Sequence, residues 1–286
     1  MEVFVKTIGE IAILAVLLSL NCAKNSATGP GGGHTAWPTV SVGTTLSYSH
    51  HIQAELLSKD SLRLGYDSIA VVLRDSATGK VLTAAQVQWF PLMSMGMSQE
   101  SAPVDNYGNE ASADSLFRNG IVFTMPSDSM MSNGGWLLRL RIDDSRYAAT
   151  GSFNDSVDFT VRVEDVSPSP IVWWKGQDSL SRVGALLAPE SPRDGTDTLE
   201  LFIAREASAL SWVADSSWTA TVVPTMPAMM MGTPDTFTLA AAGHAHYKGK
   251  VNFSMTGAWQ LTFAFKQLTG GFVAADSSQY IDVTVK

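Results

Sequence analysis

Apolar and polar side chains alternate every second residue through most of the chain beyond residue 45. Leu46, Tyr48, His50 and Ile52 are spaced by polar residues, the period of a strand that buries one face. Ser68-Ile-Ala-Val-Val-Leu-Arg is a short run of high strand propensity, while Ile121-Val-Phe-Thr-Met, Trp136-Leu-Leu-Arg-Leu-Arg-Ile and Val157-Asp-Phe-Thr-Val-Arg-Val repeat the alternation. Asp75-Ser-Ala-Thr-Gly79 reads as a hairpin-like connection, with the glycine supplying a positive φ. No convincing helix longer than two turns is present. Strands recurring roughly every ten residues between Gly, Asn and Asp turns predict an all-β protein of antiparallel β-sandwich type.

The pattern is interrupted once, at Glu164-Asp-Val-Ser-Pro-Ser-Pro170, where two prolines restrict the chain to an extended connection. Beyond it the same events recur. Arg182-Val-Gly-Ala-Leu-Leu, Asp197-Thr-Leu-Glu-Leu-Phe-Ile-Ala, Trp218-Thr-Ala-Thr-Val-Val, Val251-Asn-Phe-Ser-Met, Trp259-Gln-Leu-Thr-Phe-Ala-Phe and Tyr280-Ile-Asp-Val-Thr-Val follow in order. The halves align at Pro91 with Pro224, Met93 with Met226, Phe123 with Phe253, Met125 with Met255, Trp136 with Trp259 and Val161 with Val283, which indicates an internal duplication. The first copy carries an insertion between its Phe-x-Met strand and its tryptophan, Pro126-Ser-Asp-Ser-Met-Met-Ser-Asn-Gly-Gly135. Residues 45–165 and 171–286 are therefore expected to be two tandem sandwiches, with 166–170 as the linker.

The N-terminus follows a different logic. Ile11 to Leu20 is an apolar run too short to span a bilayer, which needs roughly 20 residues, and it reads as the core of an export signal over 1–21. The single cysteine, Cys22, comes directly after it, and Leu18-Ser-Leu-Asn-Cys22 resembles the lipobox of bacterial lipoproteins, with Asn21 where a small residue is usual. The expectation is a cleaved, acylated Cys22, an extracytoplasmic location and a lipid anchor to a membrane. An ordinary secretory signal with an incidental cysteine is the other reading. One cysteine allows no disulfide within the chain. From residue 22 to 44 the composition, centred on Gly29-Pro-Gly-Gly-Gly33, cannot bury enough apolar area to fold and reads as a flexible tether, with His34 a solvated residue in it.

Composition narrows the partners. Charged residues make up 16% of the chain, against roughly 25% in an average soluble protein, so the surface is rich in uncharged polar side chains. The net charge of −8 and the absence of any basic run exclude nucleic acid and anionic headgroups as main partners. No phosphate-binding glycine loop, Gly-x-Ser-x-Gly elbow, His-Glu-x-x-His motif or cysteine nucleophile is present, so no enzyme is expected.

The most unusual chemistry lies in Val222-Val-Pro-Thr-Met-Pro-Ala-Met-Met-Met-Gly232, followed by His244-Ala-His-Tyr-Lys-Gly-Lys-Val-Asn-Phe-Ser-Met-Thr-Gly-Ala-Trp259. In wording and order, residues 222–265 resemble the YtkA-like family of small bacterial extracytoplasmic domains, and residues 87–142 do so more loosely. The resemblance implies immunoglobulin-like sandwiches, similar in style to FixH-type and CopC-like proteins, in a lipoprotein, with a link to copper or another soft metal. It implies no activity and no catalytic residue.

Apart from Met1, every methionine falls in one of two equivalent windows, 93–131 and 226–255. Thioethers select Cu(I) over hard cations. In an extended segment Met93, Met95 and Met97 would share a face, as would Met229 and Met231. His244 and His246 would add two imidazoles on one face near the second loop. The expected copper site is thus Met226, Met229 and Met231 with His244 or His246, and a weaker one is Met93, Met95 and Met97. Two alternatives stand beside it. Methionine is also the filler of irregular core gaps, and two turn histidines are often simply solvated. On that reading the Met-Pro loops cap the cores, or form a contact surface for another envelope protein. Trp136 and Trp259 are the expected centres of the two cores.

Overall fold

A computed structural model describes residues 39–95, 98–106, 108–127, 135–146, 153–208, 210–232, 235–275 and 278–286, with the backbone alone at Met95, Met231 and Gly232. The expected signal segment, Cys22, His34, Met97, Met130 and Met131 lie outside the described residues. The first half forms β1 (Val40–Leu46), β2 (Ile52–Ser58), β3 (Gly65–Asp75), β4 (Gln86–Met95), β5 (Ser98–Ser101), β6 (Val104–Asp105), β7 (Phe117–Phe123), β8 (Trp136–Asp143) and β9 (Asp155–Val161). The second half forms β10 (Ile171–Lys175), β11 (Ser181–Ala188), β12 (Gly195–Ser208), β13 (Ser211–Ala214), β14 (Trp218–Met226), β15 (Met231–Gly232), β16 (Phe237–Gly243), β17 (His246–Phe253), β18 (Gly257–Gln267), β19 (Val273–Ala274) and β20 (Tyr280–Val285). The first strand starts at Val40, inside the stretch 22–44 read as tether. Thr44 to Leu46 pair with Gln53 to Glu55, which ties this polar segment to a sheet whatever its composition. No helix among the described residues is long and apolar enough to cross a membrane.

Every strand pairing between named strands is antiparallel, and the two halves are immunoglobulin-like sandwiches of the same plan. In the first, the sheet β1-β2-β3-β7-β6 faces the sheet β5-β4-β8-β9. In the second, β10-β11-β12-β17 corresponds to β1-β2-β3-β7, and β14-β18-β20 corresponds to β4-β8-β9. The two sheets of the second half are joined through β16, whose Thr238 and Leu239 pair with β14 and whose Ala240 and Ala241 pair with β17.

The duplication holds down to single bonds. Trp136 pairs with Val161 across β8 and β9, and Trp259 with Val283 across β18 and β20. Pro91 faces Leu138 as Pro224 faces Leu261. Each tryptophan is buried and donates its indole N–H to the carbonyl of the matching methionine, Met125 or Met255, at 3.0 Å in both copies. Each also meets the matching phenylalanine edge-on, Phe123 at 5.3 Å and Phe253 at 5.5 Å. An indole with its N–H satisfied and its ring edge against a second ring contributes a large buried area without an orphaned polar group.

Each sandwich has its own core, and a third apolar cluster joins them. Leu64 and Val122 of the first half pack with Ile171, Val183, Phe202 and Ala204 of the second. This explains why Leu199 to Ala204 are all buried although they alternate faces: one face lines the second core, and the other lies against the first sandwich.

Candidate functional site

The second methionine segment begins as the end of β14. Proline at 227 has no N–H to continue the ladder, and the chain turns through one 3-10 turn, Pro227–Met229, with Met230 left-handed at φ 52°. Met231 and Gly232 then fold back to pair with Met226 and Thr225. Within this turn the side chains part company. Met226 is 6% exposed and belongs to the second core, whereas Met229 is 52% and Met230 98% exposed. Gly257 leaves room for Met226: a Cβ there would lie 2.9 Å from its methyl carbon. In the first copy Met93 pairs with Trp136 and is buried in the first core. Met95 pairs with Ser98 at the tip of the β4–β5 hairpin. Met93 and Met226 are thus packing residues.

The two histidines do not share a face. His244 and Ala245 both take left-handed backbone angles, φ 48° and 62°, and this double reversal breaks the two-residue alternation. His244 is exposed, whereas His246, the first residue of β17, is 1% exposed. Among the described residues no cluster of His, Cys, Asp or Glu forms a metal site.

His246 instead sits in a buried charge cluster between the sandwiches. Its Nδ1 lies 2.8 Å from Oε1 of Glu200 on β12, and its Nε2 lies 2.8 Å from Oδ2 of Asp105 on β6 of the other sandwich. Both ring nitrogens are therefore engaged. Tyr66 donates its hydroxyl to the same Asp105 oxygen at 2.6 Å, and Lys248 reaches Oε2 of Glu200 at 3.1 Å. The His246, Asp105 and Glu200 side chains are at most 3% exposed. Phe202 and Tyr66 flank the imidazole at 5.3 and 6.4 Å. The approach of Tyr66 depends on Gly120, because a Cβ there would fall 2.1 Å from the hydroxyl oxygen.

Burial works against a charged His246, but hydrogen bonds to Asp105 and Glu200 overcome it and lift the imidazole to about 9. Burial likewise pushes Glu200 up, and the bonds from His246 and Lys248 more than reverse it, holding the carboxyl below its ordinary value. At neutral pH the cluster is an imidazolium clamped between two carboxylates, with Lys248 balancing the second. Sealed from solvent, it offers no approach to a substrate. What it does is hold two sandwiches in one relative position, since a charge buried at this depth is tolerated only while its partners stay in contact. Around it, Trp212 donates its indole N–H to the Ser101 carbonyl across the seam at 3.0 Å, and Lys59 bridges to Glu190 at the surface.

Asp105 and Glu200 were not singled out by sequence reasoning. Glu200 carried a signal, as the one charge inside the run Leu199 to Ala204. Asp105, in a two-residue strand after a proline, carried none.

No family model matches the chain, and no curated protein matches it. Among solved structures it is similar to FdeC, an Escherichia coli adhesin, at 12% identity and TM-score 0.25, covering 82% of this chain and 64% of that one. The Yersinia pseudotuberculosis adhesin InvE gives 12% and 0.24, covering 81% and 58%. The D00-D0 domain of intimin gives 12% and 0.21, covering 82% and 99%. The chain therefore spans less than two thirds of the first two. At such identities and TM-scores the likeness concerns the all-β, immunoglobulin-like architecture alone and carries no argument about what this chain does.

Proposed function

We propose that this protein is a lipid-anchored, extracytoplasmic structural and protein-interaction module, built as two sandwiches locked into one rigid unit. The observation that carries the reading is the sealed Asp105–His246–Glu200 cluster, which spans the seam with both imidazole nitrogens engaged. A hinge between independently moving domains would leave such charges periodically unpaired. The low charge of the chain and the lipobox-like Leu18-Ser-Leu-Asn-Cys22 support the envelope location and the anchor, and the resemblance of residues 222–265 to YtkA-like domains agrees with both.

Residual dipolar couplings of the full chain test the rigidity: one alignment tensor fits both sandwiches if they move together, and two different tensors overturn the reading. Labelling with an alkyne fatty acid in a bacterial host tests the anchor, with label on the parent and none on Cys22→Ser expected.

A second reading, Cu(I) capture, is favoured by one observation: Met229 and Met230 present adjacent thioethers to solvent at the turn. On this reading Met231 and His244 complete the ligand set. Competition against a chromophoric Cu(I) chelator decides it. Stoichiometric binding that is lost in Met229→Leu/Met231→Leu supports capture, and no competition removes it.

A further inference from the structure

Beside the seam a groove of about 510 Å³ runs between the sandwiches. Four consecutive residues of β20, Ile281 to Thr284, line one side of it. Consecutive residues of a strand point to opposite faces, so what they share is the strand's edge. β20 pairs with β18 on its other side, and Phe263 donates its N–H to Gln279 O at 2.8 Å, which fixes which backbone groups point inward. By alternation the N–H and C=O of Asp282 and Thr284 point outward, away from the ladder. The next outward residue confirms the direction: Lys286 donates its N–H to Pro192 O at 2.9 Å and accepts from Asp194 N–H at 3.4 Å. Among the described residues, Asp282 and Thr284 have no backbone partner on this edge.

The rest of the groove suits an extended occupant. Its other walls mix the apolar Pro168, Pro170, Leu186, Leu187 and Pro189 with charged residues, Lys59, Asp60, Arg63, Glu190 and Lys286. Within it stands Asp67, which accepts one hydrogen bond, from the Arg63 backbone N–H at 2.7 Å. No Lys or Arg among the described residues makes an ion pair with it, whereas Lys59 is taken by Glu190 and Arg63 by Asp60.

We propose that this groove receives an extended peptide segment of a partner protein, which adds as a strand to the free edge of β20 at Asp282 and Thr284 and directs a lysine or arginine at Asp67. Strand addition to an exposed edge draws affinity from main-chain bonds and specificity from alternate side-chain contacts. Burial raises the Asp67 carboxyl to about 7, so near neutral pH it gains a full charge when a cation arrives. Sheet edges that are not meant to pair are blunted by charge, proline or bulges. Here the prolines line the opposite walls, and β20 itself contains no proline and a single charge, Asp282, of the sign that a basic segment would meet. Asp67 stands on the first sandwich and β20 on the second, and Tyr66 borders both the groove and the buried cluster. The preference for a basic side chain therefore rests on the fixed relative position proposed above, which the dipolar couplings test separately, whereas strand addition at the β20 edge does not.

The test is amide-resolved NMR titration of the full chain with acetyl-Thr-Lys-Val-Lys-Thr-amide and with its counterpart carrying Gln for both Lys. The expected result is saturable shifts at the Asp282 and Thr284 amides, with the Lys peptide binding about tenfold tighter and Asp67→Asn removing that preference. Thr284→Pro deletes an outward N–H while leaving the inner ladder intact, and it should abolish the binding. A peptide N-methylated at its central Val loses the N–H that would donate to an outward β20 carbonyl, tests the same pairing from the other strand on the unaltered protein and should also fail to bind. No saturable shift at the two amides up to millimolar peptide overturns the proposal, as does undiminished binding of the N-methyl peptide. Equal affinity for the Lys and Gln peptides overturns the assignment of a basic partner.

Discussion

Leu116, just before β7 in the first sandwich, is the counterpart of His246, the first residue of β17 in the second. Both are reached by counting back the same number of residues from matched pairs, Gly65 with Phe123 and Gly195 with Phe253. On the neighbouring strand, Ala70 stands where the second copy has Glu200, and Arg118 stands where it has Lys248. Arg118 turns to Asp114 on its own strand's approach, whereas Lys248 turns inward to Glu200. The backbones are alike, yet the first copy has uncharged Leu116 and Ala70 where the second carries the buried opposite charges of His246 and Glu200. The difference lies in what covers the sheet. The outer face of β12 and β17 rests on the first sandwich, which supplies the third member, Asp105. A duplicated fold thus became a matched pair by charging one copy where the other could answer it.

The comparison breaks most completely at what the copies share. Trp136→Ala and Trp259→Ala each remove the centre of a core and leave a cavity, with an expected loss of about 3–5 kcal/mol. Urea unfolding followed by tryptophan fluorescence should show it in both copies.

Next comes the point where they differ. His246→Leu gives the second copy the first copy's residue but leaves buried Asp105 with only the Tyr66 hydroxyl and buried Glu200 with only Lys248, and should cost about 3–5 kcal/mol. Adding Asp105→Ala and Glu200→Ala, the latter restoring the equivalent of Ala70, should recover most of that loss. A thermodynamic cycle over the three positions measures the coupling.

Titration offers a gentler version of the same break. The folded imidazole near 9 lies above its ordinary 6.5, so its contribution is complete below 6.5 and is lost as pH rises through about 9. Glu200, held below its ordinary 4.5, contributes above that value, and its share is lost as pH falls through its folded pKa. Stability measured by denaturation should therefore decline between pH 6.5 and 9 by up to about 3 kcal/mol, and the decline should vanish in the triple variant.

Gly120→Ala acts one step removed. The added methyl displaces the Tyr66 hydroxyl from Asp105, and the expected cost is about 1–3 kcal/mol, reduced when Tyr66→Phe is combined with it. The smallest effects fall on the methionine turn: Met226→Leu should cost less than about 1.5 kcal/mol, and Met230→Ser should stay within about 0.5 kcal/mol.

Most of the fold was legible in the sequence, because alternation and duplication report the buried faces directly. The tryptophan pins were visible as Phe-x-Met followed by Trp in both halves. The cluster was visible only in part. His246 stood out, but its neighbour His244 suggested a shared face, and only the two left-handed residues at 244 and 245 show why that face does not exist. Asp105 lies far from Glu200 in sequence, and nothing local to either residue announces a partner in the other domain. The methionines were ambiguous for a related reason. Strand period assigns a face to Met93 and Met226, but whether that face is core or loop is decided by Trp136, Gly257 and the turn at Pro227.

Strand β16 carries a mechanical consequence. By pairing with β14 through Thr238 and Leu239 and with β17 through Ala240 and Ala241, it stitches the two sheets of the second sandwich with main-chain bonds. The first sandwich does the same with a broken strand, β5 pairing with β4 and β6 with β7 on either side of Ala102-Pro103, where Val122 donates its N–H to the Pro103 carbonyl at 3.0 Å. Under tension applied along the chain, sheets held by side-chain contact slide apart before sheets that are sewn together. With both sandwiches sewn by the strand segment that crosses from one sheet to the other, a pull along the chain has to break main-chain bonds in either half before its sheets can slide.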